Sequence, residues 1–157
     1  MKLSENLSLI EVIKSNTATQ KRIDNAPTPE HLANLKVVAK VIFQPLRDAL
    51  GAISISSGYR SKKLNSAIGG SRSSQHCKGE ALDLDNDHKE GRATNREIFF
   101  FIKNNLDFDQ LIWEFGNEKK PDWVHVSYNA GGKQRGIILR AVRGKWGTNY
   151  VPFNQVG

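Results

Sequence analysis

The sequence predicts an α+β fold: a single domain in which a small antiparallel β-sheet is flanked by helices. Three observations lead there. Apolar residues recur at helical spacing in the first half, at Leu32, Leu35, Val38, Ile42, Leu46 and Leu50. From Glu80 onward, strand-like alternation dominates. The loops between the later strands are too short for the helical crossovers of a parallel sheet. With 157 residues the chain can bury one core without disulfide or metal staples. The expected organisation is a core over residues 29–142, an N-terminal helical segment over 1–28 and an irregular tail over 143–157.

In order along the chain, the first segment carries short apolar patches (Leu7, Leu9, Ile10, Val12, Ile13) and ends in the turn-rich Asn25-Ala26-Pro27-Thr28. Thr28 before Pro29 and Glu30 starts a helix, since threonine caps and proline suits the first turn. Gly51 ends that run, and Pro45 within it predicts a kink or break near Phe43-Gln44. Ile53-Ser54-Ile55-Ser56 alternates as a strand, and Ser61 to Ile68 reads as a short helix closed by Gly69-Gly70. Glu80 to Asp85 alternates as a strand, with Leu82 and Leu84 on the core face and Ala81, Asp83 and Asp85 on the other. Thr94 with Glu97 forms a capping box for a helix whose apolar face is Ile98, Phe101, Ile102 and Leu106. Strands follow at 110–115, 123–128 and 136–142, and 149–157 is expected to be irregular.

Composition excludes several classes. At 38% hydrophobic and 25% charged residues, the chain belongs with folded globular proteins. No run approaches the roughly 18 apolar residues of a membrane span. Met1 to Asn6 lacks the apolar stretch of a secretory signal, so the protein is expected to be made in the cytoplasm and to reach any external target after release. The single cysteine, Cys77, rules out an internal disulfide framework and any multi-cysteine metal site. Lys and Arg number 23 against 16 Asp and Glu, a net charge of +7. These cations are scattered and accompany no nucleic-acid motif, so the charge reads as a solvated basic surface compatible with an anionic polymer nearby.

The chemistry concentrates around two of the four histidines. His76 lies in Ser73-Ser74-Gln75-His76-Cys77-Lys78-Gly79, where Gly79 can turn the chain into the strand that carries Asp83. Asp is disfavoured on a strand and costly if buried unpaired, a cost that a cation removes. His125 projects from between Val124 and Val126. Two imidazoles and one carboxylate make the three-ligand set of a catalytic zinc, with the fourth position left to water. From the residues alone a second reading stands equal to it: structural histidines satisfied by hydrogen bonds. A zinc site would need a general base, for which Asp122 is the candidate, and a fixed cation for the oxyanion, for which Arg60 is the candidate. Asp122 and His125 point to opposite faces of a regular strand, so this role requires irregular backbone after Pro121.

Four segments in this order resemble a known family: Ser57-Gly58-Tyr59-Arg60-Ser61, Ser74-Gln75-His76, Gly79-Glu80-Ala81-Leu82-Asp83 and Trp123-Val124-His125-Val126-Ser127. They are similar to the zinc D-Ala-D-Ala carboxypeptidases, a family that includes L-alanyl-D-glutamate phage endolysins and belongs with the hedgehog domain in one superfamily. The resemblance runs from about Leu32 to Tyr128. It implies one zinc ion held by His76, Asp83 and His125, Asp122 as base and Arg60 as carbonyl or transition-state ligand. It also implies Ser74, Tyr59 and Ser127 at the substrate. The implied activity is hydrolysis of a peptide bond next to a D-amino acid in peptidoglycan, by a monomer that resembles the small phage-type members. The alternative is a non-catalytic zinc-containing module that binds cell wall or a partner.

The remaining candidates read as structural. Cys77 beside His76 lacks an orienting third group and reads as a small buried residue. The acidic run from Asp83 to Asp87 fails as a calcium loop, because His88 falls where glycine is needed. His31 and His88 read as surface histidines, and Asp85 is the substitute for Asp83 should the strand register slip. Trp113 and Trp123 are expected in the core or a pocket wall, and Trp146 against its neighbours.

Overall fold

The computed structural model describes residues 1–154 and bears out the α+β class. The chain opens with a small hairpin, β1 (Lys2–Ser4) and β2 (Leu7–Ser8), followed by α1 (Leu9–Ile13) and α2 (Asn16–Lys21). The N-terminal segment is therefore not simply helical, and it is no appendage: Leu3, Leu7 and Val12 are buried in the main core. Strands of two and three residues are too short to display alternation, which is why the hairpin is invisible in the sequence.

Thr28 caps α3 (Pro29–Val38) by accepting from the His31 N–H. Pro45 does not break the helix. It brings no N–H to the ladder, and the chain instead widens into a π-helical turn over Ala39–Phe43, with the Gln44 N–H reaching Ala39 O, before continuing as α4 (Gln44–Leu50). Next come β3 (Ile55–Ser57), α5 (Lys62–Ala67) capped by Ser61, and a 3₁₀ turn over Gln75–Lys78. The chain then forms β4 (Ala81–Leu84) and α6 (Asn95–Asn105), whose Thr94–Glu97 capping box is present. It ends in β5 (Gln110–Glu114), β6 (Trp123–Ser127), β7 (Ile137–Gly144) and β8 (Gly147–Pro152).

The six-stranded sheet has the order β3-β4-β6-β5-β7-β8. All neighbours are antiparallel except β5 and β7, which run parallel because the chain leaving β6 passes β5 to join its far side. The tail corrects the expectation of irregular structure: residues 147–152 pair with β7 in a hairpin turned at Lys145-Trp146. Phe153 behind it packs 4.8 Å from the Phe99 ring and 5.5 Å from that of Trp113. The last part of the expected irregular tail, 155–157, lies outside the described residues.

Alternation divides the sheet into two faces. Leu82, Leu84, Leu111, Trp113, Val124 and Val126 form one, packed into a single core with Leu35, Val38, Ile42, Phe43 and Leu46 and with Ile98, Phe99 and Ile102 of α6. Register then decides what the opposite face carries: Asp83 pairs with His125, which pairs with Ile112, and Trp123 pairs with Glu114. Paired residues share a face, so Asp83, His125 and Glu114 look out together.

Candidate metal centre

The outward face floors a cleft of about 720 Å³ lined by Arg60, His76, Asp83, Glu114, His125 and Arg135, among others. His76 reaches it from the 3₁₀ turn, where the Ser74 hydroxyl accepts the His76 N–H. Gly79 ends that turn at φ 74, and a side chain there would meet the backbone of His31. Behind His76, its Nδ1 lies 2.6 Å from the Gly58 carbonyl. A carbonyl only accepts, so Nδ1 carries the proton and Nε2 presents its lone pair. That Nε2 is buried and makes no hydrogen bond. Asp83 Oδ1 lies 3.2 Å from it and 3.0 Å from His125 Nδ1.

His76, Asp83 and His125 each offer a ligand atom within 4.8 Å of the other two, and all three residues are buried. An orphaned imidazole nitrogen with its tautomer set by a backbone carbonyl, a second imidazole and a carboxylate between them suit a zinc ion. In the metal-free fold burial alone would raise the Asp83 carboxyl, but His76 and then His125, once protonated, hold it well below the usual carboxylate range. His76 Nε2 makes no hydrogen bond although Asp83 Oδ1 is 3.2 Å away, and a lone pair facing a carboxylate in a buried place is what a cation between them relieves.

A sequence model of the Peptidase M15 family matches residues 5–127, well over half of the 157-residue chain. The chain belongs to the Peptidase M15 family. It is thus a member of a family of zinc-dependent metallopeptidases, and its His76–Asp83–His125 group is the place in the described structure where a metal fits. A search of curated proteins finds no significant match.

Arg60 lines the cleft with Nη2 3.8 Å from Asp83 Oδ2, while Nη1 donates to Asn65 Oδ1 at 3.2 Å. Its backbone is held on both sides by the buried Asn25, which donates to Tyr59 O and accepts from the Ser61 N–H at 2.7 Å. The N-terminal segment supports this loop: the Tyr59 N–H donates to Val12 O, and Gly58 lies so close to Val12 that any side chain would collide with its backbone. Asn25 is a positioning residue that sequence reasoning missed. Only its adjacency to a turn was visible.

Asp122 is not brought to the cleft. Its side chain is exposed, and its backbone is tied down in the bend before β6, the N–H donating to Glu114 O at 2.9 Å and the C=O accepting from Asn95 Nδ2 at 3.0 Å. The irregular backbone expected after Pro121 is present, since Asp122 lies in a bend ahead of β6, but it leaves the side chain in solvent and out of the cleft lining. Glu114 lies where Asp122 does not: 7% exposed, lining the cleft, and on the ligand face. Burial pushes its carboxyl up to about 7, with His125 opposing the shift and Asp83 adding to it. One signal for it existed in the sequence, since Gln110-Leu111-Ile112-Trp113-Glu114 alternates and puts Glu114 opposite the core residues Leu111 and Trp113.

Of the three expected substrate contacts, the structure brings only Ser74 to the cleft. Tyr59 is turned into the core with its hydroxyl 3.1 Å from His31 Nδ1, so His31 is a packing partner rather than a free surface residue. Ser127 is fully buried, and its hydroxyl accepts from the Gln110 N–H. Asp85 accepts from Asn95 Nδ2 and the Asp87 N–H, away from the cleft. Cys77 is buried, which pushes its thiol up and leaves it unreactive. Phe115, in left-handed backbone at φ 54, forms a cleft wall with Trp123, their rings 5.5 Å apart. Trp146 is 91% exposed at the hairpin tip, with Lys145 Nζ 5.2 Å from its ring, so it packs against no core.

Proposed function

We propose that the protein is a zinc-dependent peptidase that hydrolyses a peptide bond next to a D-amino acid in peptidoglycan, as a DD-carboxypeptidase or L-alanyl-D-glutamate endopeptidase of the endolysin type, acting on the wall after release from the cell. The observation that carries this reading is the buried His76–Asp83–His125 group at the floor of an open cleft, with a poised carboxyl, Glu114, on the same face. Zinc at that group supplies Lewis acidity, polarising a carbonyl and lowering the pKa of water to about 7.

The chain's own residues perform the rest. The Gly58 carbonyl orients the His76 imidazole. Glu114, buried on the ligand face and lining the cleft, takes the proton from the attacking water and delivers it to the leaving amine. Arg60, fixed by Asn25 and Asn65, faces the oxyanion that develops. A purely binding module would need neither a base nor a three-residue ligand set, since structural zinc sites are closed by four protein ligands.

The test is mass spectrometry of muropeptides after digestion of purified peptidoglycan by zinc-loaded protein. New fragments cut at a D-residue, absent after chelation and restored by zinc, are the expected result. Full cleavage by protein shown metal-free by elemental analysis would end the reading, as would no cleavage by fully zinc-loaded protein.

A further inference from the structure

Asp109 lies just before β5 and is 2% exposed, so its charge has to be neutralised within the fold. The Arg135 guanidinium does so, through Nε at 3.1 Å and Nη2 at 2.7 Å, and the Arg135 N–H at 3.0 Å and Gln75 Nε2 at 3.1 Å donate to the same carboxylate. Gln75 immediately precedes the candidate ligand His76, so one buried carboxylate ties Arg135 to the turn that carries the metal site. The Arg135 side chain is nonetheless 57% exposed, and it lines the same cleft as His76, Asp83 and His125.

A guanidinium has five N–H donors. The Nε edge is spent on Asp109, and among the described residues no partner engages Nη1. Arg135 is thus a rigid, permanently charged fork with one edge bonded and the other free at the cleft. Pinning it in advance removes much of the rotamer entropy that an arginine loses on binding. Its position along the cleft follows from register. Asp83, His125 and Ile112 lie on one line across the sheet, and Asp109 is three residues from Ile112. At strand spacing that is about 10 Å, or three residues of an extended peptide. Glu114 lies the other way from Ile112 along β5, so the base and Arg135 flank the ligands from opposite sides.

We propose that Arg135 is a specificity-determining residue that binds a carboxylate of the substrate, within a few residues of the scissile bond and on the side away from Glu114. Arg60 is less suited to the task, because its guanidinium already faces Asp83 and Asn65. The proposal rests on the peptidase reading for its choice of ligand, a wall stem peptide. Such a peptide offers two carboxylates, one on its D-Glu residue and one at its C-terminus.

Calorimetric titration of L-Ala–D-Glu–L-Lys–D-Ala–D-Ala tests this in the zinc-loaded E114Q protein, which is expected to hold the peptide without cutting it. Two analogues, amidated at D-Glu or at the C-terminus, identify which carboxylate is read. One amide is expected to bind roughly 10- to 100-fold more weakly than the free acid, as for a lost hydrogen-bonded ion pair. Adding R135K, which keeps the charge beside Asp109 but loses the fork, should shrink that ratio. The double change Arg135→Ala with Asp109→Asn, which leaves no buried charge unpaired, should bring it to about one. The acid-to-amide ratio is internal to each protein, so a general loss of stability does not mimic the effect. A ratio unaltered by both changes overturns the proposal, as do equal binding of acid and amides and no binding of the peptide at all. If wild-type protein cuts no peptidoglycan while the ratio still collapses, the hydrolytic reading fails and the carboxylate site stands.

Discussion

Glu114 and Asp122 are both acidic, both close to His125 in the fold, and separated by which face they occupy. Glu114 shares the outward face with the ligands, while Asp122 is exposed on the bend that precedes β6. E114Q is therefore expected to retain zinc and to lose about 10²- to 10⁴-fold in turnover, the range for removal of a general base. Asp122→Asn should change turnover less than twofold, and His125→Ala should lose both zinc and activity. Zinc content by elemental analysis alongside initial rates separates these outcomes. The raised Glu114 carboxyl also makes a prediction for metal-free protein. A carboxyl whose folded pKa is about 7, against 4.5 unfolded, contributes stability that is full below pH 4.5 and lost as pH rises through 7. Replacing it with glutamine should thus favour the folded state increasingly between those values, by up to about 3 kcal/mol at pH 8 relative to pH 4. Urea titrations of the chelated proteins at both pH values measure this, and an equal difference at the two would remove the argument.

The supports of the site are element-scale features. The 3₁₀ turn Gln75–Lys78 is stopped by Gly79 in a left-handed conformation against the His31 carbonyl, and β4 begins directly afterwards. Gly79→Ala combines backbone strain of about 1 kcal/mol or more with a collision, so it should displace His76 and weaken zinc binding at least tenfold. Competition with a chromophoric chelator reads this directly, and undiminished affinity would show that the turn does not position His76. Much of this level was legible. The capping residues Thr28 and Thr94 and the turn at Gly79 are local signals, and each acts where the sequence puts it. The π turn before Pro45 was not, because a missing N–H is relieved equally well by a break, a kink or an extra residue in the turn. Strand β8 was hidden for another reason: it is exposed along its whole length, so no apolar alternation announces it.

At the scale of the whole molecule, a metal would tie the turn that carries His76 to the paired strands β4 and β6. His76 comes from a turn backed by the N-terminal segment, Asp83 from β4 and His125 from β6. Zinc binding should therefore stabilise the entire domain. A free concentration of 100 times Kd corresponds to about 2.7 kcal/mol, and chelation should lower Tm accordingly. Scanning calorimetry with and without zinc checks this, and a Tm indifferent to zinc would argue against binding at a site formed only in the folded state. The N-terminal segment belongs to the same unit, since Val12 packs behind the Gly58–Arg60 loop.

The sequence by itself determined the helix caps, the core face of each central strand and the residue types that suit zinc, because these depend on neighbours a few positions away. Asp83 and His125 were visible because each is a polar residue facing away from an apolar strand face, and His76 because a glycine turn follows it. Only the tertiary structure decided which acid stands beside those ligands, that Tyr59 and Ser127 turn inward, and that Asp109 fixes Arg135 at the cleft. Those outcomes follow from the pairing of β5 with β6 and from the path of the loop after β6, contacts between distant segments that leave no periodic mark in the chain.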